Sequence, residues 1–137
     1  MEVTVEHLGD AQFEVTARHH KIICDQPLDN GGYDEGMTPP ELMLASLGAC
    51  SGYYATQYLR TRSLPSEGMR ILVVSEKAQG PARLAAFKIQ IELPDSLDGR
   101  HEAGLLRAVK SCLIHHTLLN PPSISTEVTY PVTARAA

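Results

Sequence analysis

One apolar segment limits the possible folds of this chain more than any other feature. From Leu42 to about Arg60 the residues are apolar or small on nearly every side of a helix, and a helix of this kind must be covered all round. It follows Thr38-Pro39-Pro40-Glu41, which supplies a capping threonine, proline in the first turn and a glutamate three residues after the cap. A chain of 137 residues has few elements to surround such a helix. We therefore expect a buried central helix that a second subunit partly covers.

The remaining elements follow from alternating patterns and turn formers. Period-two alternation predicts strands at 3–5, 13–17, 22–24, 69–76, 84–93 and 124–132, and helical patterns predict segments at about 99–111 and 112–118. The segment 26–37 is rich in turn-forming residues and has no period, so a loop is expected there. The order β-β-β-α-β-β-α-β is typical of an α+β domain with mostly antiparallel pairing. We predict one such domain over 1–137.

Charge and hydropathy exclude two classes of partner. The chain has 12 Lys and Arg against 16 Asp and Glu, a net charge of −4, and the charges are mixed along the sequence. This argues against nucleic acid, which needs a concentrated basic face. The longest mostly apolar stretch, 42–50, is far shorter than the roughly 20 residues that span a bilayer. The amino terminus lacks a secretory pattern, and we expect a cytoplasmic protein with no membrane partner.

The three cysteines are the main candidates for chemistry. An odd number of widely spaced cysteines is not a disulfide framework, and in a reducing compartment such residues are buried, metal-bound or reactive. Cys24 follows two isoleucines in a strand and is expected to be structural. Cys50 and Cys112, taken alone, are equally compatible with small buried side chains. Cys50 lies about three turns into its helix, too far for the helix dipole to activate it.

A reactive Cys50 therefore needs another source of positive charge. The candidates are Arg18, His19 and His20 in the second strand region, or a group from a second subunit. The segment Cys112-Leu-Ile-His115-His116 also has helical metal-ligand spacing, to which His19 or His20 could add a ligand. Adjacent side chains in a strand point to opposite faces, and the sequence has no second close pair of ligands. We therefore expect no metal and no cofactor.

The segment that leads into the central helix carries a recognisable pattern. It reads Asp25-x-Pro27-x(3)-Gly31-Gly32-x-Asp34-x-Gly36-x-Thr38-Pro39-x-Glu41-Leu42-x-Leu44-x(2)-Leu47-Gly48-x-Cys50, with Cys112 far downstream. With this pattern and its order of elements, the sequence resembles the OsmC/Ohr family of thiol-dependent peroxide reductases and their uncharacterised relatives. The resemblance implies an intertwined homodimer, in which two central helices pack between two sheets and two active sites lie at the subunit interface.

The resemblance also implies a reaction and its participants. The Cys50 thiolate attacks the distal oxygen of an organic hydroperoxide and becomes a sulfenic acid, and Cys112 then forms a disulfide with it. A small dithiol or a thiol protein restores both thiols. Arg18 matches the family arginine that faces the thiolate, and Glu41 matches a family glutamate near the start of the helix. These two residues complete the expected catalytic set.

Three positions differ from the peroxidase members of the family. Pro40 stands ten residues before Cys50, where those members have a glutamate that pairs with the arginine. Ser51 replaces an aromatic residue, and Leu113 replaces a proline. These differences place the sequence nearer the uncharacterised branch of the family. The alternative is therefore a non-catalytic protein that binds a small molecule on the same scaffold.

Overall fold

The structure is a computed structural model that describes residues 1–132. In chain order its elements are β1 (Thr4–Gly9), β2 (Gln12–Ala17), β3 (His20–Cys24), a short 3-10 turn (Leu28–Asn30), α1 (Pro39–Arg60), β4 (Arg70–Ala78), β5 (Arg83–Glu92), α2 (Gly99–Lys110) and α3 (Leu113–Leu119). The strands form two antiparallel sheets, one of three strands and one of two. The α+β class with antiparallel pairing is thereby confirmed.

The amino-terminal sheet is a meander in the order β1-β2-β3. Its first turn uses Gly9 and Asp10, and Asp10 has a φ of 46°, which suits a tight hairpin. Val5 pairs with Val15, and Val15 pairs in turn with Ile22, so apolar residues line up across the strands. Among the described residues the three strands contact mainly one another, and β1 remains largely exposed.

A loop wound around one buried carboxylate joins this sheet to α1. The Asp25 side chain is fully buried and accepts hydrogen bonds from the backbone N–H groups of Gln26, Tyr33 and Glu35 and from the Gln12 amide. These bonds outweigh the effect of burial, which acts in the opposite direction, and they lower the pKa of Asp25. A short parallel bridge between Cys24 and Met37 closes the loop. The helix therefore starts at a fixed position relative to β3.

Helix α1 begins as the sequence predicts. The Thr38 side chain accepts from the Glu41 backbone N–H, and the Glu41 carboxylate accepts from the Thr38 N–H at 2.7 Å, which completes a capping box. One stripe of the helix is buried within the chain: Leu47, Gly48, Ser51, Ala55 and Leu59. The opposite side includes Tyr53, which is 60% exposed. A single copy of the chain therefore covers only part of the central helix.

The hairpin β4-β5 and helix α2 cover that buried stripe. Gly48 and Gly52 face the side chains of Val73 and Ile71 on β4, so this chain itself uses the stripe of small residues. Near the carboxyl end of α1, Ala55 and Leu59 form a core cluster with Leu105 and Val109 of α2. The cap of α2 is Asp98, which accepts from the His101 N–H at 2.8 Å.

The expected last strand at 124–132 is wrong for the described chain. Residues 121–132 lie in neither a helix nor a strand. Their apolar side chains are exposed, Val132 to 97% and Tyr130 to 82%. Alternation gives a segment the propensity for a strand, but a strand forms only where another strand offers hydrogen bonds. None of the described strands pairs with this segment.

Helix α3 follows α2 almost directly and packs against α1. Its cap is Cys112, whose sulfur accepts from the His115 N–H at 3.4 Å. The sequence predicted a short helix in this position. None of the helices within residues 1–132 is long and apolar enough to cross a membrane.

Candidate active site

The structure brings Cys50 and Cys112 together although they are 62 positions apart in the sequence. Cys50 lies on α1 and Cys112 caps α3, and the two side chains are close enough for each to shift the pKa of the other. Both are free thiols, with Cys112 fully buried and Cys50 partly exposed. Cys50 is therefore the more accessible residue of the two.

The surroundings favour the thiolate form of Cys50. Burial raises the pKa of the Cys50 thiol, but hydrogen bonds from the Cys112 side chain and from the backbone N–H groups of Ile114 and Leu113 together lower it below its ordinary value. These two amides belong to the first turn of α3, where backbone N–H groups have no partner within the helix. The site therefore stabilises an anion on Cys50 mainly with neutral donors.

The pKa of Cys112 moves in the opposite direction. Burial and the neighbouring Cys50 side chain raise the pKa of Cys112, and the backbone N–H groups of His115 and Ile114 offset only part of this effect. Because thiolates attack and thiols do not, the ordinary division of roles has the low-pKa, accessible cysteine react first. Of the two cysteines, Cys50 has the lowered pKa and the greater exposure.

The other expected site residues lie elsewhere in this chain. Arg18 is exposed in the turn between β2 and β3 with a φ of 56°, and the groups that shift the pKa of Cys50 do not include it. Glu41 lies nine residues before Cys50 in the same helix, about 14 Å away along the axis at 1.5 Å per residue. Its carboxylate is held by the Thr38 N–H and hydroxyl, which lower the pKa of Glu41.

The amides of α3 are the part of the site that sequence reasoning missed. The sequence predicted a cation near Cys50, because Cys50 lies too far from the start of its own helix for the helix dipole to lower its pKa. The position of Cys112 directly before a short helix could have indicated free backbone N–H groups there. The local sequence does not show that these groups lie near Cys50, because the contact joins distant parts of the chain. Cys24 ends β3, buried beside its bridge to Met37, as expected for a structural cysteine.

An apolar cavity is lined in part by residues that lie one turn from each cysteine. It has a volume of about 490 Å³ and is lined by Leu47, Leu84, Ala85, Phe87, Ile89, His115, Leu118 and Leu119. Leu47 lies one turn before Cys50, and His115 donates its backbone N–H to Cys112. Within residues 1–132 no group of three or more His, Cys, Asp or Glu side chains is arranged to hold a metal ion.

A comparison with protein families identifies the family of this chain. The model of the OsmC-like protein family matches residues 32–127, which include both Cys50 and Cys112. The chain belongs to the OsmC-like family. A comparison with curated proteins gave no significant match.

Solved structures share the fold of this OsmC-like chain. A provisionally named osmotic stress induced and detoxification response protein from Psychrobacter arcticus is 23% identical with a TM-score of 0.77, covering 84% of this chain and 85% of its own. An OsmC-like protein from Mycoplasma pneumoniae is 19% identical with a TM-score of 0.73, covering 88% and 87%. An organic hydroperoxide resistance protein OsmC from Legionella pneumophila is 17% identical with a TM-score of 0.59, covering 86% and 89%. At these identities the likeness concerns the fold.

Proposed function

We propose that this OsmC-like chain is a thiol-dependent peroxidase that reduces organic hydroperoxides. Membership of the family and the name of the Legionella pneumophila neighbour suggest a redox role. The observation that carries the proposal is the pairing of Cys50, whose pKa is lowered, with Cys112, whose pKa is raised, each in part through its interaction with the other side chain. Such a pair has an attacking thiolate and a second thiol that can capture the oxidised product.

The proposed reaction has three steps. The Cys50 thiolate attacks the distal peroxide oxygen, the O–O bond breaks, and the alkoxide takes up a proton and leaves as an alcohol. The resulting Cys50 sulfenic acid is attacked by the sulfur of Cys112, which expels water and forms a Cys50–Cys112 disulfide. An external dithiol or thiol protein then reduces the disulfide through a mixed disulfide and is itself oxidised. Electrons therefore pass from the dithiol to the hydroperoxide.

The apolar cavity supports an organic substrate rather than hydrogen peroxide. Its walls are mostly aliphatic or aromatic, as in Phe87 and Ile89, and they include Leu47, which lies one turn before Cys50. A cavity of this kind gains binding free energy from an apolar substituent, which hydrogen peroxide lacks. We expect bulky alkyl or aryl hydroperoxides to be reduced more efficiently than hydrogen peroxide.

The test is the thiol count and intact mass before and after one equivalent of cumene hydroperoxide, followed by non-reducing peptide mapping. We expect loss of two thiols and a cross-link between Cys50 and Cys112. Cys50→Ser should abolish this oxidation, and Cys112→Ser should stop at a sulfenic acid that dimedone traps. Cys24→Ala is the matched control, and it should form the same cross-link. If all thiols stay free and a small molecule co-purifies with the protein, the chain is a binding protein instead.

We further infer that the protein works as a homodimer. The exposed side of α1, including Tyr53, and the exposed apolar side chains of β1 and of residues 121–132 support this inference. Exposed apolar side chains in such numbers are typical of a chain that buries them against a partner. Two copies would complete the cover of the central helix.

In this dimer we assign Arg18 to the Cys50 site of the second copy. Arg18 makes no contact with Cys50 of its own chain among the described residues, and a guanidinium would stabilise both the thiolate and the departing alkoxide. The test mixes Arg18→Gln and Cys50→Ser chains to form heterodimers. Supply of Arg18 by the other copy predicts that the heterodimer regains activity that both parent homodimers lack. Supply within one chain predicts an inactive mixture.

A further inference from the structure

A second cavity lies between the carboxyl-terminal part of α1 and helix α2, outside the cysteine site. Its volume is about 570 Å³, and it is lined by Tyr58, Arg62, Arg100, His101, Gly104 and Arg107. Three arginines, a tyrosine and a histidine thus line one space. We call this space the arginine cleft. In a chain with a net charge of −4, it is a local concentration of positive charge.

The helical period explains how the arginine cleft forms. Arg100, Gly104 and Arg107 are spaced i, i+4 and i+7, so they lie on one face of α2. Tyr58 lies in the last turn of α1, and Arg62 lies in the turn that follows the end of this helix at Arg60. The glycine permits close approach of the helices, because a Cβ atom at position 104 would lie only 2.0 Å from the Tyr58 hydroxyl oxygen. The cleft is therefore built by the packing of the two helices.

Specific contacts hold the polar groups of the cleft in place. The Arg62 guanidinium carbon lies 3.8 Å from the centre of the Tyr58 ring, a cation-π contact. Arg62 also donates to the Tyr58 carbonyl oxygen and to the Thr61 hydroxyl. The Tyr58 hydroxyl shares a hydrogen bond of 3.2 Å with Nδ1 of His101. These contacts reduce the cost of ordering the groups around a ligand.

The positive charge of the cleft is available to a ligand. Within residues 1–132 the salt bridges join Lys21 to Glu14 and Arg70 to Glu92, and none involves an arginine of the cleft. Asp98 is close enough to Arg100 and His101 for their charges to lower its pKa, after the larger effect of the His101 backbone N–H. Its carboxylate is already engaged in capping α2. An added anion would therefore meet arginines that have no carboxylate partner.

We propose that the arginine cleft binds a small molecule that carries a phosphate group. Guanidinium groups present forked donors that match phosphate oxygens, and three of them suit a dianion better than a single carboxylate. The cleft is a small, open concavity beside two helices, whereas nucleic acid and membrane surfaces need an extended basic face. Its volume exceeds that of phosphate alone, which leaves room for an organic substituent. The proposal is independent of the chemistry at Cys50.

The test is isothermal titration calorimetry of the full chain with inorganic pyrophosphate at low ionic strength. We expect saturable binding at one site per chain. Arg62→Gln, Arg100→Gln and Arg107→Gln should each weaken it by about tenfold or more, since each removes a charge-assisted hydrogen bond. Arg60→Gln is the matched control, because Arg60 is exposed at the end of α1, two positions before Arg62, and does not line the cleft. This control should bind within about twofold of the parent, as expected for a screened surface charge. Circular dichroism verifies that all four variants are folded.

Three results would overturn the proposal. The first is an absence of saturable binding by the parent chain. The second is an equal loss of affinity in the Arg60 control, which would show a general charge effect. The third is binding of citrate as tight as that of pyrophosphate, which would assign the cleft to carboxylates. Retained pyrophosphate binding in the control, with loss in the three cleft variants, supports the site.

Discussion

At the scale of single residues, the asymmetry between two cysteines organises the candidate site. The same hydrogen bond between their side chains lowers the pKa of Cys50 and raises that of Cys112. The amides of Ile114 and Leu113 add to the difference at Cys50. The lowered pKa favours the thiolate of Cys50, and the raised pKa favours the protonated thiol of Cys112, as the proposed reaction requires. No group with a full charge is needed to establish this order within one chain.

The first prediction concerns the pH dependence of Cys50 alkylation. Because the folded-state pKa of Cys50 is lowered, the rate with iodoacetamide should rise at a lower pH than that of a free cysteine, and the unfolded chain should lose this advantage. Cys112→Ala removes a donor and should move the midpoint upward. Cys112→Ser keeps a hydroxyl donor and should move it less. Equal midpoints for the two variants would contradict the assigned role of the Cys112 hydrogen bond.

The second prediction concerns Ser51, the neighbour of Cys50. Its hydroxyl oxygen is buried and has no hydrogen-bond partner among the described residues. A buried polar group without a partner costs about 1 to 3 kcal/mol. Ser51→Ala removes that group with little change in volume and should leave stability unchanged or raise it by up to about 1 kcal/mol. Urea unfolding monitored by circular dichroism measures the change, and a clear loss of stability would contradict the prediction.

Sequence reasoning at this scale was strongest where a pattern was local. The capping residues Thr38 and Glu41 were readable because their contacts span three positions. The contact between Cys50 and Cys112 is set by the packing of α3 on α1, and it came into view only through the resemblance to a family. The donors at Leu113 and Ile114 were missed, because nothing in the local sequence places them beside another helix.

At the scale of elements, the loop after β3 is ordered by its own backbone donors. Backbone N–H groups from Gln26, Tyr33 and Glu35 converge on Asp25, and the absence of a side chain at Gly32 keeps the turn open. A Cβ atom on Gly32 would lie 2.0 Å from the Gln26 carbonyl oxygen. The loop is therefore a fixed connection between the three-stranded sheet and α1.

The third prediction is that Asp25→Asn loosens this loop. An amide offers one acceptor oxygen where the carboxylate offers two, and its NH₂ group faces donors. The Tyr33 and Glu35 amides should exchange with solvent about tenfold faster or more, as followed by hydrogen exchange. Asp29→Asn, in the exposed 3-10 turn, is the control and should leave these rates unchanged. Unchanged exchange in Asp25→Asn would mean that the buried carboxylate does not order the loop.

The carboxylate also predicts a pH dependence for the same loop. The pKa of Asp25 is lowered in the folded chain, so its contribution to stability is fully present above the unfolded pKa and is lost as the pH falls through the folded one. After the exchange rates are corrected for their intrinsic pH dependence, the Tyr33 amide should therefore lose its protection only in acid. This loss should be absent from Asp25→Asn, which has no titrating group there.

The segment at 124–132 shows where an element cannot be predicted from its own residues. Val128 and Tyr130 alternate with polar neighbours as they do in β5, yet β5 forms a strand and this segment does not. The difference is that β4 supplies hydrogen-bond partners along the whole of β5. Period two therefore identifies which face of a segment can be buried, and the available partner decides whether the strand forms.

At the scale of the whole molecule, the unpaired apolar segments favour association. The exposed apolar side chains include Val3, Val5, Leu8, Tyr53, Ile124, Val128, Tyr130 and Val132. These residues come from both ends of the chain and from the central helix. Exposure of all these side chains is unfavourable, because full burial of one apolar side chain stabilises a protein by about 1.5 to 3 kcal/mol. Burial against a second copy would remove this cost. A strand of that copy would also supply the hydrogen-bond partner that residues 124–132 lack within one chain.

The fourth prediction tests this pairing with two neighbouring substitutions. In a strand Val128 and Thr129 point to opposite faces, so Val128→Asp places a carboxylate on the apolar face and Thr129→Asp places one on the polar face. Because an unpaired buried charge is strongly unfavourable, Val128→Asp should weaken dimerisation by about a hundredfold or more. Thr129→Asp has the same charge change and should leave the dimer intact. Sedimentation velocity over a range of concentrations measures both. A monomeric parent chain, or equal weakening by the two substitutions, would refute the paired strand, whereas selective dissociation of Val128→Asp would assign the apolar face of this segment to the dimer interface.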